Sequence, residues 1–105
     1  MVTNIQVPDR NDSFSRIVLN GKEYLIRFTF NAKKDYWSFG FYDMSENPIL
    51  AMTKIVPLSP MTFFYREIDV PDGEFICLTD LEKVGRNDFK NSNAVFTFIP
   101  MDMLS

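Results

Sequence analysis

Hydrophobic and polar residues alternate along much of this chain, which is the pattern of half-buried β-strands. Two such runs, Phe14 to Leu19 and Lys22 to Phe30, are separated only by the pair Asn20-Gly21. Asn-Gly suits the positive φ angles of a type I′ turn. The two runs with this pair between them therefore predict a β-hairpin.

A period of two also predicts which side chains share a face of each strand. One face should carry the large apolar residues, namely Tyr24, Ile26, Phe28 and Phe30 in the second run and Trp37, Phe39 and Phe41 in the next run, Tyr36 to Asp43. The opposite face should carry Arg27 and Thr29, followed by Ser38 and Gly40. Small residues at such positions leave room for a neighbouring backbone or a bulky cross-strand side chain.

Further strands are predicted in the second half of the chain. Pro48 opens a strand of mixed pattern, Ile49 to Val56, and two later strands run from Glu74 to Thr79 and from Ala94 to Ile99. The intervening stretch is interrupted by Pro57, Pro60 and Pro71, each of which removes a ladder donor. Within it, Met61 to Tyr65 fits either a helical turn or an edge strand. Asp80 to Asn93 is predicted to be a polar loop.

The spacing of these elements defines the expected fold class. Short strands at close intervals, without an amphipathic helix, favour an all-β, mainly antiparallel architecture. We expect a small six- to seven-stranded barrel or sandwich with at most a short helical turn. A length of 105 residues, 46% of them hydrophobic, fits one domain over residues 1–105, with a short flexible N-terminus and C-terminal tail.

Charge and hydropathy narrow the range of partners. The chain has 11 Lys and Arg against 14 Asp and Glu, and the two signs are interspersed. Proteins that bind nucleic acid backbones need clustered cations, so this balance argues against nucleic acid as a partner. No apolar window approaches the ~18 residues of a membrane span, and the first ten residues lack a signal-peptide pattern. We therefore expect no membrane partner and synthesis in the cytoplasm.

The residues that most often carry catalysis are scarce. The chain contains no His, and its acidic residues lie mostly in turn contexts such as Asp43-Met44-Ser45, Asp72-Gly73 and Asn87-Asp88. Cys77 is the only cysteine and lies in an apolar run, where a thiol usually packs as a small hydrophobe. A metal site would need oxygen ligands alone, and the spacing of a calcium loop is absent. The sequence thus predicts no enzyme, no cofactor and no metal.

Aromatic and Met residues are the features best suited to binding. Tyr36 and Tyr42 lie opposite the predicted core face of their strand, and the segment around Met61 is apolar, irregular and flanked by prolines. The C-terminal tail adds Met side chains that can adapt to a partner's surface. For the segment and the tail, covering the core is an equally good interpretation. The residues predicted to bind a protein partner are Met61, Phe63, Phe64, Tyr65, Tyr36, Tyr42, Met103 and Leu104.

The order of these features resembles a family of small tailed-phage proteins, the baseplate plugs of contractile-tailed phages and prophages. The similarity runs over nearly the whole chain. It is carried by Ile5-Gln6-Val7-Pro8, Phe14, Val18-Leu19-Asn20-Gly21, Tyr24 to Arg27, Phe30-Asn31, Tyr36-Trp37-Ser38-Phe39, Tyr42-Asp43, Pro48-Ile49-Leu50, Ile55-Val56, Pro71-Asp72-Gly73-Glu74-Phe75 and Arg86-Asn87-Asp88-Phe89. The chain differs from many relatives in having Phe30 where a Trp often stands, and in its Met-containing tail.

The resemblance implies a virion protein of the tail baseplate. Such a β domain would lie in the central hub and help to close the end of the tail tube until contraction. Its partners would be hub, spike or tube-end proteins, and the assembled baseplate is compatible with a homo-oligomer. Trp37, Asn31 and Asp43 fall on recurrent positions of the family, although the residue patterns assign them to core and turns.

Two binding functions remain as alternatives. A carbohydrate-binding module would need Tyr36, Tyr42 and Tyr65 on one exposed platform, with Asp43 beside it. A single-strand nucleic-acid binder of the oligonucleotide-binding barrel type is the other, and the acidic balance counts against it.

Overall fold

Seven β-strands form the part of the protein that the computed structural model describes, residues 3–58 and 73–100. These residues contain no helix. The strands are β1 (Thr3–Ile5), β2 (Asp12–Leu19), β3 (Lys22–Asn31), β4 (Tyr36–Tyr42), β5 (Pro48–Lys54), β6 (Gly73–Thr79) and β7 (Ala94–Pro100). The prediction of an all-β fold is confirmed.

The β2–β3 hairpin forms as the sequence predicts. Asn20 and Gly21 have φ angles of 53° and 79°, as a two-residue type I′ turn requires. The turn fixes the register, so Leu19 pairs with Lys22 and each earlier residue of β2 pairs with a later residue of β3. One consequence is that Phe14 lies directly opposite Arg27.

The strands form two antiparallel sheets that pack face to face. One has four described strands in the order β2-β3-β4-β5, and the other has three in the order β1-β7-β6. The sheets do not close into a barrel, so of the two predicted architectures the structure is the sandwich.

Aromatic rings fill the space between the two sheets. Phe39 of β4 contacts Phe75 of β6 and Phe96 of β7, with ring centroids 5.2 and 5.0 Å apart. Phe28 of β3 meets Phe96 edge to face. Phe28, Phe39 and Phe41 lie on the predicted core face and are fully buried, as are Phe75 and Phe96 of the other sheet. The period-two assignment of inward positions in β3 and β4 is therefore correct.

Two features of the fold were not predicted from the sequence. β1 is a strand that pairs with β7, with Ile5 opposite Phe96. In addition, β5 ends at Lys54 instead of Val56. Beyond it the chain crosses towards the other sheet, where the Leu58 N–H donates to the Cys77 carbonyl at 2.9 Å. Pro57 already bridges to Cys77 at this crossing, and Leu58 adopts a left-handed φ of 61°.

Residues 80–93, predicted as a polar loop, cover one end of the sandwich. The Trp37 indole N–H donates to the Gly85 carbonyl at 3.0 Å, and the Arg86 guanidinium lies 5.4 Å from the Trp37 ring. Arg86 also pairs with Asp9 at 2.8 Å, which links the loop to the connection between β1 and β2. Phe89 packs against Trp37 with centroids 5.8 Å apart.

Candidate partner-binding surface

The acidic residues with described surroundings serve mainly in turns. Asp43 Oδ1 accepts hydrogen bonds from the backbone N–H groups of Ser45 and Asn47, both at 2.9 Å. The bonds from Asn47 and Ser45 lower the pKa of Asp43 below its ordinary value. Asp88 accepts from the Gly85 N–H within the 80–93 loop. The interpretation of Asp43 and Asp88 as turn residues is confirmed.

The recurrent family positions Asn31 and Trp37 are also structural. Asn31 Oδ1 accepts from the backbone N–H groups of Lys33 and Lys34 at 3.1 Å and so holds the turn that follows β3. Trp37 is 1% exposed. Both residues therefore have a role in stabilising the fold.

Cys77 is buried in β6, as its apolar context predicts. Burial raises the pKa of its thiol to about 11, and the negative charge of Asp88 adds to the effect. A thiol with such a pKa is almost entirely protonated at neutral pH and is a poor nucleophile.

The described residues show no cluster of three or more metal-binding side chains. No helix long and apolar enough to cross a bilayer occurs within residues 3–58 and 73–100. Exposed apolar side chains are the next surface feature to consider as a binding site.

The outer face of the four-stranded sheet carries a patch of apolar and aromatic side chains. We define the outer-face patch as Phe14, Val18, Arg27, Tyr42 and Met52. Phe14, Val18 and Met52 are 52%, 56% and 38% exposed, which is high for large apolar residues in regular strands. Tyr42 and Arg27 are half-buried between them. Apolar groups exposed together in this way are typical of a surface that binds another macromolecule.

Arg27 lies in the middle of this patch. Its guanidinium donates to both carboxylate oxygens of Asp12 at 2.9 and 2.7 Å, and it lies 5.7 Å from the Phe14 ring. The Phe14 and Tyr42 rings meet with centroids 5.2 Å apart. Asp12, and after it the Tyr42 hydroxyl, raise the pKa of Arg27. These contacts hold the two rings and the cation in one arrangement before any partner arrives.

Gly40 allows Met52 to join the patch from β5. A Cβ atom built at Gly40 would lie 2.5 Å from the Met52 sulfur and 3.3 Å from the Tyr42 ring. The small residue therefore lets both side chains approach the sheet, which confirms the close approach predicted for this strip.

The structure places the predicted Tyr36 and Tyr42 on the same face of β4, both half-buried. Six residues along a strand correspond to roughly 20 Å, so the two rings do not form one compact platform. The Tyr36 ring instead lies 5.0 Å from the Lys54 ammonium. The other predicted contact residues, Met61, Phe63, Phe64, Tyr65, Met103 and Leu104, lie outside the described residues.

Four members of the outer-face patch are not among the contact residues predicted from the sequence, namely Phe14, Arg27, Met52 and Val18. A signal for the first two was present, because an Asn20-Gly21 turn places residues 14 and 27 opposite each other. The approach of Met52 depends on bulges in the β4–β5 pairing, where the register shifts between Phe39 and Tyr42. No local pattern in the sequence indicates those shifts.

Comparison with known proteins agrees with the resemblance noted in the sequence. A sequence model of the family described as cyanophage baseplate Pam3 plug gp18 matches residues 2–100. No curated protein sequence matches the chain, and these comparisons give no support to the carbohydrate-binding alternative. Because the match covers nearly all of the 105 residues, the chain belongs to this family of phage baseplate plug proteins.

Proposed function

We propose that this baseplate plug protein is a non-enzymatic structural component of the central tail hub. It would act by binding hub, spike or tube-end proteins through the outer-face patch. The observation that carries the proposal is the contact of exposed Phe14 with half-buried Arg27 and Tyr42 on the outer face of a regular sheet.

The composition of this group fits a protein interface. Tyr and Arg are enriched among residues that dominate binding energy, and aromatic rings contribute large contact areas. The Asp12 carboxylate and the ring contacts hold Arg27 in position, so little side-chain entropy is lost when a partner binds. Apolar Val18 and Met52 on either side would help to exclude water from the contact.

We extend the proposal to the residues selected from the sequence. Tyr36 would contribute a rim contact beside Lys54. The apolar segment Met61, Phe63, Phe64 and Tyr65, and the tail residues Met103 and Leu104, would add further contacts with the neighbouring baseplate proteins. The domain would be made in the host cytoplasm and incorporated into the virion during tail assembly.

Co-expression with the hub and spike proteins of the same phage, followed by co-purification, tests this assignment. Met52→Asp introduces a charge into the outer-face patch at a side chain that is already 38% exposed. We expect this variant to fold and to lose most of the co-purifying hub or spike protein. Retention of the partner at the native level would contradict the proposed surface.

Leu78→Asp is the matched control, because Leu78 is 43% exposed on a strand of the other sheet. It should bind the partner as the native protein does. Loss of binding with Leu78→Asp alone would place the contact on the three-stranded sheet. Failure of the native protein to bind any baseplate component would overturn the proposed function itself.

A further inference from the structure

β2 is an edge strand whose outer side pairs with no other strand of the described chain. Two hydrogen-bonded pairs mark which residues of β2 bond to β3. The Phe30 N–H donates to the Asn11 carbonyl at 2.8 Å, and the two-residue turn is closed by the pair Leu19 and Lys22. Because hydrogen-bonded pairs alternate along an antiparallel ladder, the odd-numbered residues of β2 form their backbone hydrogen bonds with β3. The backbone groups of its even-numbered residues therefore point away from β3, to the edge where none of the described strands lies.

The even-numbered side chains form an ordered series on the outer face of the sheet. They are Asp12, Phe14, Arg16 and Val18, all of them exposed. Arg16 makes no hydrogen bond or ion pair within the described part of the chain, whereas Asp12 binds Arg27. A carboxylate can accept bonds from more than two donors, so Asp12 can also receive a second cation.

We propose that this edge pairs with the β2 edge of a second copy of the chain, antiparallel and about a two-fold axis at Phe14. In that register Phe14 meets Phe14 of the other copy. Asp12 of each copy lies opposite Arg16 of the other, which gives two cross-strand ion pairs by symmetry. Opposite charges and paired aromatic rings are the cross-strand combinations that stabilise antiparallel sheets.

Neighbouring registers fit less well. A two-fold axis at Ser15 would put Asp12 opposite Val18, and an axis at Arg16 would put two guanidinium groups together. The charges on β2 are thus self-complementary about Phe14, which identifies a second copy as the partner. Isologous pairing of this kind is the commonest form of protein self-association.

An orphan hydroxyl on the inner side of β2 supports the same register. Ser13 Oγ is buried and has no hydrogen-bond partner among the described residues. With the axis at Phe14, Ser13 lies opposite Ser15 of the other copy, in a pair whose backbones do not hydrogen-bond to each other. Side chains are closest at such pairs, so the two hydroxyl groups can bond.

Disulfide trapping tests the register directly. In Phe14→Cys the two new thiols would lie at the axis, where paired Cα atoms are about 5.5 Å apart, within the range a disulfide spans. Mild oxidation should therefore give a covalent dimer on a non-reducing gel. Val18→Cys is the control, because its thiols would lie roughly 27 Å apart and should not join. Equal cross-linking of both variants, or none with Phe14→Cys, would overturn the proposal.

Sedimentation equilibrium tests the charge pairing without a new thiol. The native 12.3 kDa chain should show a rising average mass between about 10 µM and about 1 mM, the range expected of a small interface. Arg16→Glu sets two carboxylates against each other at both symmetric positions and should weaken association at least about tenfold. Lys33→Glu makes the same charge change in the turn after β3 and should leave association unchanged.

Each result of that measurement decides the question. A native chain that stays monomeric throughout, or association that Arg16→Glu and Lys33→Glu affect equally, would contradict the pairing of β2 edges. Neither result bears on the binding of hub or spike proteins, which is tested at Met52 on β5, three strands away from β2 in the same sheet.

Discussion

The two faces of the four-stranded sheet are built from the same strands but differ in how deeply their side chains are buried. On the inner face Phe28, Phe39 and Phe41 are completely buried. On the outer face Phe14 and Met52 remain 52% and 38% exposed. Burying a large apolar side chain contributes about 1.5–3 kcal/mol, so most of the folding energy comes from the inner face.

The comparison bears on how a domain of this size could accommodate the proposed binding surface. Since the inner rings supply the stability, the outer side chains are free to be chosen for recognition. Substitutions on the two faces should therefore separate folding from binding.

The largest effect is expected from a buried ring. Phe39→Ala would remove contacts with Phe75 and Phe96 and leave a cavity between the sheets. We expect a loss of about 3–5 kcal/mol in the free energy of unfolding, measured by urea denaturation. Met52→Ala on the outer face should cost less than about 1 kcal/mol. If the two variants lost similar amounts of unfolding free energy, the two faces would contribute equally to stability, contrary to this interpretation.

Substitutions at two glycines should change the free energy of unfolding by an intermediate amount, and by different amounts on the two sheets. A Cβ at Gly73 would collide with the Ile99 carbonyl and the Phe98 ring, and the carbonyl belongs to the paired backbone of β7. A Cβ at Gly40 meets chiefly the flexible end of Met52. We expect Gly73→Ala to cost about 1–3 kcal/mol and Gly40→Ala less, by the same denaturation assay. The reverse order would mean that the outer face is packed as rigidly as the core.

Local signals account for the parts of the fold that the sequence predicts well. The Asn20-Gly21 turn determines the register of β2 and β3, and period-two alternation identifies the buried rings of β3 and β4. β1 was missed because three residues are too short for a periodic pattern, and its pairing with β7 joins the two ends of the chain.

The candidate surface was less predictable, because its members come from different strands. Tyr42 was selected as the outward residue of one strand, but its contact with Phe14 crosses the intervening strand β3. The choice between barrel and sandwich likewise depends on how the chain crosses between sheets near Leu58. Such contacts join distant residues and leave no local pattern.

Phe14→Ala tests whether an aromatic ring on the outer face contributes less to stability than a ring on the inner face. The substitution removes the ring contact with Tyr42 and the contact with Arg27, but both are made at a largely exposed side chain. We expect the free energy of unfolding to fall by less than about 1 kcal/mol. Dimer formation should weaken in the same sample by sedimentation equilibrium. A loss of stability as large as that of Phe39→Ala would show that Phe14 belongs to the core.

The smallest effect is expected at Asp43, in the turn that links β4 to β5 at the end of both faces. Hydrogen bonds from Asn47 and Ser45 hold the pKa of its carboxyl below the ordinary 3.8. A lowered pKa in the folded state means that the ionised group stabilises the fold above pH 3.8. That contribution is lost as the pH falls from this value through the folded-state pKa.

Asp43→Asn isolates this contribution, because the variant has an amide that does not titrate, and all other acidic groups cancel in the comparison with the native chain. The native protein should be more stable than the variant at neutral pH. The difference between their urea midpoints should shrink on acidification below the ordinary carboxyl pKa of 3.8. A difference that stays constant with pH would mean that Asp43 acts through its shape and neutral hydrogen bonds alone. The turn would then resemble the buried face, where packing and not charge determines stability.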